Sequence, residues 1–373
     1  MAGAGAPAGG GGGRGRGGGG GGGRPWARHA RRAVTLAAGG LLGVLGGAAT
    51  VAAVAVRFVL NPPAALRASE SRRRRRAALA PPALAMAPAW GEHSRVTANG
   101  LSFHCVRRGR GPKLLLLLHG FPECWFSWRY QLRDLFKEDG EWTVVAVDLR
   151  GYGESDKPAG VQSYRGDVLA EDVRALVGAL GFRECALAGH DWGGRVAWYA
   201  AAAAPEVVTR LVILNSPHPT LFGRNMYLRQ ALRSWYMFFF QVPQIPEWSL
   251  AAFDYSGLDC LKRVSHRKPS DEEMEVHKFY MSRKGAVKAG VNYYRAMMRF
   301  RPSRATREAL RSLSTPTLVL WGANDEFLGE ELNRGLSSCV SNVTYKVVPY
   351  CSHWIQTDQH RVVTRFMADF LSP

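Results

Sequence analysis

The stretch Cys185-Ala-Leu-Ala-Gly-His-Asp-Trp-Gly-Gly-Arg-Val-Ala-Trp198 decides how this chain is read. Cys185–Gly189 reads as a strand, and the Ala-rich run from Arg195 to Ala204 reads as a helix. Between them Gly189, Gly193 and Gly194 surround Asp191. A strand, a Gly-x-nucleophile-x-Gly turn and a helix form a sharp elbow that lifts one side chain clear of the backbone. Small residues on either side allow that turn. The lifted side chain here is a carboxylate. A carboxylate nucleophile attacks a carbon electrophile and becomes an ester, unlike a serine engaged in acyl transfer.

Outward from this elbow the pattern is α/β. Lys113–Leu118 is a continuous apolar run, as expected of a strand buried on both faces. Thr143–Val147, Cys185–Ala188, Arg210–Leu214, Thr317–Trp321 and Val343–Val348 repeat it. Helical periodicity fills 127–137, 165–180, 194–204, 330–338 and 357–371. The alternation predicts a doubly wound parallel sheet. It breaks between about 217 and 300, where Trp235-Tyr-Met-Phe-Phe-Phe240 and charged helical segments predict an inserted helical cap.

The net charge of +19 is concentrated at one end. Residues 1–89 hold 13 Arg and one acid, Glu70, a net +12, which leaves +7 for the rest. This favours an anionic membrane surface over a nucleic-acid groove. Residues 33–56 carry no charge. As a helix rising about 1.5 Å per residue, they are long enough to cross a hydrocarbon core of ~30 Å. The expected order is a Gly/Arg-rich tail (1–32), a transmembrane signal-anchor (33–60) and a basic, Pro-rich linker (61–92). A first half of the core (93–216), the cap (217–302) and a second half (303–373) follow. Arginines on both sides of the uncharged run leave membrane orientation open. The six cysteines are scattered without a C-x-x-C pair, so no metal site is expected.

Four motifs stand at strand ends, where sites in such sheets lie. The elbow presents Asp191. His119-Gly-Phe-Pro122 follows the 113–118 strand, and its backbone N–H groups can hold an oxyanion with the N–H of Trp192. Asp325 follows the 317–321 strand and is placed to orient a base. His353 follows the last strand and is the candidate base. Nucleophile, acid and histidine in that chain order complete a triad.

The segments HGFPECWFSWRYQL (119–132), DLRGYGESDKP (148–158), GHDWGGRVAW (189–198), NSPHP (215–219), WGANDEFL (321–328) and SHWIQTDQ (352–359) resemble the α/β-hydrolase epoxide hydrolases. The likeness covers about residues 93–373. With the N-terminal anchor, it is most like that of the membrane-tethered vertebrate members.

The resemblance implies a mostly parallel eight-stranded sheet with helices on both faces and an inserted cap. It also implies an ether-bond hydrolase without metal or organic cofactor. By that likeness Asp191 is the nucleophile, Asp325 the orienting acid and His353 the base. Tyr294 and Tyr236 are the cap phenols that protonate the epoxide oxygen. Phe121 and Trp192 supply the oxyanion N–H groups, and His119, Pro122, Trp125 and Phe239 are expected around the substrate. The expected partners are a small epoxide, water and the lipid bilayer, with no nucleic acid. The expected place is the endoplasmic reticulum membrane, single-pass.

The phenols also suit the chemistry, because an epoxide opens to an alkoxide that needs a proton donor neutral at pH 7. The rivals are a haloalkane or haloacid dehalogenase and a catalytically silent binding protein. Phe121 and Trp192 stand where the two dehalogenase types commonly carry Asn and Arg, respectively.

Overall fold

The computed structural model describes residues 63–137 and 140–372, and within the preceding segment residues 37, 38, 40, 41, 43, 45–50, 52 and 56. The expected tail (1–32) lies outside the described residues, as does much of the expected span (33–60). No helix among the described residues is long and apolar enough to cross a membrane.

Eight strands form one sheet: β1 (Glu92–Ala98), β2 (Leu101–Arg108), β3 (Lys113–Leu118), β4 (Trp142–Val147), β5 (Cys185–His190), β6 (Val208–Leu214), β7 (Thr317–Gly322) and β8 (Val343–Val348). Their order is β1-β2-β4-β3-β5-β6-β7-β8. The pairs β1–β2 and β2–β4 are antiparallel, and all others are parallel. The apolar runs form the parallel strands because both faces of those strands are covered. Leu114, Leu116 and Leu118 point into one core, and Leu115 and Leu117 into the other. Helices Gly166–Ala179 and Trp192–Ala203 contribute to the first core. Helix His360–Leu371 contributes Val363, Met367 and Leu371 to the second.

Between β6 and β7 every named element is a helix. This insertion includes Leu228–Arg233, Trp235–Phe239, Ile245–Tyr255, Asp271–Met281 and Ala286–Arg299. Helix Asp271–Met281 starts on a capping box, with Ser270 accepting from the Glu273 N–H and Glu273 accepting from the Ser270 N–H.

The expected linker is more structured than its composition implies. Pro63–Ala78 is a helix, and Arg76 on it is buried. Its guanidinium bonds Asp254 on the cap and Glu275 at 2.8 Å. A charge buried this deeply is stable only when paired, and two acids of the cap supply the pairing. The arginine run thus straps the N-terminal helix to the cap, besides carrying exposed charge.

The elbow explains its glycines. Asp191 has φ 50° and ψ −115°, a conformation that a non-glycine residue holds only under constraint from its surroundings. A Cβ on Gly193 would lie 2.1 Å from the Leu118 carbonyl oxygen. Gly193→Ala is therefore expected to destabilise the fold by about 3 kcal/mol, since nothing on the opposing strand end can yield cheaply. Thermal denaturation checks this, and an unchanged midpoint would mean that the turn relaxes.

Candidate active site

Three loops at the carboxyl ends of the parallel strands bring Asp191, Asp325 and His353 together. Asp191 caps helix Trp192–Ala203 directly after β5, Asp325 follows β7, and His353 follows β8. His353 Nδ1 lies 2.7 Å from Asp325 Oδ2, and His353 Nε2 lies 3.5 Å from Asp191 Oδ2. Asp191 Oδ1 accepts the Phe121 N–H at 2.8 Å. The imidazole thus stands between two carboxylates, one of which is also gripped by the backbone of the turn after β3.

Electrostatics follow from this geometry. Burial alone would lower the His353 pKa, but the charges of Asp325 and Asp191 outweigh it and push it up to about 10. Burial likewise opposes ionisation of Asp191. The hydrogen bond and charge of His353 overcome it and hold the carboxyl below its ordinary value. Both shifts describe an imidazolium–carboxylate pair in the resting site.

Asp325 is held from all sides. Its Oδ1 accepts from the N–H groups of Phe327 and Leu328 at 2.8 and 2.9 Å, and its Oδ2 accepts from Asn215 Nδ2 at 2.6 Å. Asn215 Oδ1 in turn accepts the Gly322 N–H at 3.0 Å. Asn215 therefore sets the carboxylate that sets the histidine. It stands in the NSPHP segment at the end of β6, and its place at a strand end was the available signal. A second missed contact is the buried pair of His190 Nδ1 and Glu123 Oε2 at 3.0 Å. His190 Nε2 donates to the His353 carbonyl at 2.8 Å, and Gln356 donates to Glu123. No local pattern joins these residues.

Above Asp191 lies a cleft of about 620 Å³. Phe121, Pro122, Tyr236, Phe239, Phe240 and Tyr294 are among its walls, with Asp191 and His353 at its base. The rings of Tyr236 and Tyr294 meet edge to face at 5.8 Å. Burial, then the negative charge of Asp191, raise both phenols well above their ordinary pKa. Both therefore stay protonated, in the cleft that Asp191 also lines.

Pro122 and Phe239 line the cleft, and His119 and Trp125 are not among its lining residues. His119 is fully buried beneath the turn, where Nδ1 donates to the Gly120 carbonyl and Nε2 accepts the Leu149 N–H at 3.1 Å. It braces the turn that carries Phe121. Trp125 is also fully buried, and its indole donates to Tyr280 Oη at 3.1 Å. Trp192 packs against Tyr294 with ring centroids 4.9 Å apart, and the hydrogen bond seen on the Asp191 carboxylate from a backbone N–H comes from Phe121.

Comparison with known proteins agrees with this architecture. Residues 113–359 match the family model of the alpha/beta hydrolase fold. The chain is 40% identical over 305 residues to epoxide hydrolase 4 of Homo sapiens, covering 78% of this chain and 82% of that protein. It is 38% identical over 306 residues to epoxide hydrolase 3 of Xenopus tropicalis, covering 78% and 81%. The crystal structure of a Bacillus megaterium epoxide hydrolase in complex with an inhibitor superposes with a TM-score of 0.67 at 30% identity. That match covers 74% of this chain and 99% of the other. Matches of this extent, on a sheet whose strand ends assemble an Asp–His–Asp cluster, place the chain in the epoxide hydrolase family of α/β-hydrolase-fold enzymes.

Proposed function

We propose that this enzyme opens apolar epoxides, lipid and fatty-acid epoxides among them, to vicinal diols through an ester on Asp191. The observation that carries the reading is that two phenols, Tyr236 and Tyr294, share one cleft with the Asp191 carboxylate. A halide leaving group needs no proton, whereas an epoxide oxygen does. The largely aromatic walls favour an apolar substrate.

In this mechanism Asp191 Oδ2 attacks an epoxide carbon, and the departing oxygen takes a proton from a cap phenol. Asp191 Oδ1 becomes the ester carbonyl oxygen, already within reach of the Phe121 N–H. The His353 imidazolium returns a proton to the phenolate and is left neutral. Oriented by Asp325, it then takes a proton from water as that water attacks the ester carbonyl, and passes it to the diol oxygen as the ester bond breaks. The N–H groups of Phe121 and Trp192 receive the oxyanion, and the diol leaves. Membrane attachment through residues 33–60, in the endoplasmic reticulum membrane, belongs to the same proposal. It is supported by the absence of charge over 33–56, which lets that segment enter the apolar layer of a bilayer.

A single turnover in ¹⁸O-water tests the ester. The label is expected in Asp191 and absent from the first diol released, because the new diol oxygen comes from the carboxylate. Label in that first diol would mean direct attack by water. Tyr294→Phe is expected to slow ring opening by about 10²-fold and to leave ester hydrolysis unchanged. Pre-steady-state rates of alkylation and hydrolysis separate the two, and equal slowing of both would remove Tyr294 from the protonation step.

A further inference from the structure

The mouth of the cleft lies in a surface unlike the rest of the cap. Leu228 and Leu232, one turn apart on helix Leu228–Arg233, are about half exposed, and Tyr227 beside them is equally so. Ile245 and Trp248, one turn apart on helix Ile245–Tyr255, are exposed to a similar degree. The next residues of that second helix, Ser249 and Leu250, line the cleft, as do Leu232 and Arg233. Leu232 therefore stands in the cleft wall with Tyr227 and Leu228 beside it, while Trp248 faces the other side of its helix, so exposed apolar groups run across the cap from the cleft to that flank. Clustered exposed apolar groups on a folded domain mark a binding surface, unlike scattered single ones.

Charge and neighbouring chain identify the occupant. Residues 219–246 contain three arginines, Arg224, Arg229 and Arg233, and no Asp or Glu. A groove of about 490 Å³ on the far side of helix Ile245–Tyr255 is lined by Arg73, Arg74, Lys284 and Lys288, with Trp248 at its wall. Its acid, Glu247, is paired with Arg295. Glu326 is the acid at the mouth of the cleft, opposite Arg233 and Arg263. Aromatic, aliphatic and basic side chains in one layer match the interface of an anionic bilayer.

The uncharged N-terminal segment meets the cap at the same place. A Cβ on Gly43, Gly46 or Gly47 would fall 2.4–2.6 Å from Phe238, Trp235 or Phe239, so these glycines seat directly on that helix. Thr50, one turn on, lines the cleft, while Leu41, Leu45 and Val56 remain exposed on the outer side.

We propose that this face of the cap docks on an anionic lipid bilayer, with the mouth of the catalytic cleft opening onto the membrane. Bilayer-dissolved epoxides then reach Asp191 without passing through water. Only this last consequence rests on the epoxide reading, because the docking is measured without turnover.

The test uses the full chain in vesicles of phosphatidylcholine and phosphatidylserine, spin-labelled through Leu228→Cys or Leu232→Cys. Arg183→Cys, exposed just before β5 at the opposite end of the sheet, is the control, and the signal of the unsubstituted chain is subtracted. Labels at 228 and 232 are expected to relax faster with membrane-dissolved oxygen than with an aqueous nickel complex, and the label at 183 the reverse. Vesicles of phosphatidylcholine alone, or Lys284→Glu with Lys288→Glu, are expected to reduce the difference severalfold. Leu228→Asp is expected to raise KM severalfold for a long bilayer-dissolved epoxide and to leave a short water-soluble one unchanged.

Labels at 228 and 232 that report water, on a chain still bound to vesicles, overturn the proposal. Labels shielded from both reagents, together with a crosslinked dimer, also overturn it in favour of a second copy of the chain. If the labels report lipid and no epoxide is turned over, the docking stands and the epoxide reading falls.

Discussion

Asp191→Ala is expected to abolish turnover, with kcat falling by at least about 10⁴-fold, on the scale seen when a catalytic triad loses its nucleophile. The substitution removes the only group in the cluster placed to bond to carbon. The His353 imidazole is engaged with Asp325 at 2.7 Å, and Asp325 is tied by two backbone N–H groups and Asn215. His353 also lines the cleft, but its imidazole is engaged with Asp325, and Asp325 is not among the lining residues. The variant is expected to fold, because the elbow keeps its glycines and an alanine removes no core contact. Diol formation measured with a folded variant decides the matter, and wild-type rates would refute the ester mechanism.

The second large effect separates the two chemical steps. His353→Ala is expected to consume one equivalent of epoxide per enzyme and then stop, with the Asp191 peptide heavier by the mass of the epoxide. In the proposed mechanism alkylation needs the carboxylate, whereas release needs the base. Continued diol release at the wild-type rate would exclude His353 from hydrolysis.

The pH dependence follows from the same pair. In the resting site, despite burial, the charges of Asp325 and Asp191 push the His353 pKa up to about 10. In the proposed mechanism alkylation turns Asp191 into a neutral ester and removes one of those charges, so His353 should titrate at lower pH in the alkyl-enzyme. The base works when neutral. Single-turnover hydrolysis should therefore rise with pH and level off well below pH 10. An acid limb that stays near 10 would mean that the charge on Asp191 is not what raises His353.

Much of this site was legible before any coordinates. The elbow, the turn after β3 and the polar residues after β7 and β8 lie where a strand pattern ends, and strand ends are visible in a local window. The antiparallel pair β1–β2 was less visible. β1 has no continuous apolar run because it lies at the sheet edge and is mostly exposed or half-buried. The arginine run of 72–76 shows no apolar periodicity and reads as a linker. Its role comes from Asp254, 178 positions away, which pairs with Arg76.

The same limit applied to His119 and Trp125. His119 reads as a brace of the oxyanion turn and Trp125 as pocket wall or core; both are fully buried, with polar atoms directed to the backbone of Leu149 and to Tyr280. The phenols of Tyr236 and Tyr294 came from motif likeness, and only the packing of two cap helices brings their rings within 5.8 Å.

By itself, the sequence determined the kind of chemistry available: a carboxylate at an elbow, an acid and a histidine in order, each at a strand end. The tertiary structure decided which polar atoms meet. Asn215 reaches Asp325 across 110 positions and His190 reaches the His353 carbonyl across 163, at 2.6 and 2.8 Å. Such contacts are invisible locally because a hydrogen bond requires agreement within a few tenths of an ångström. Across crossovers of this length, the packing of helices on a shared sheet supplies it.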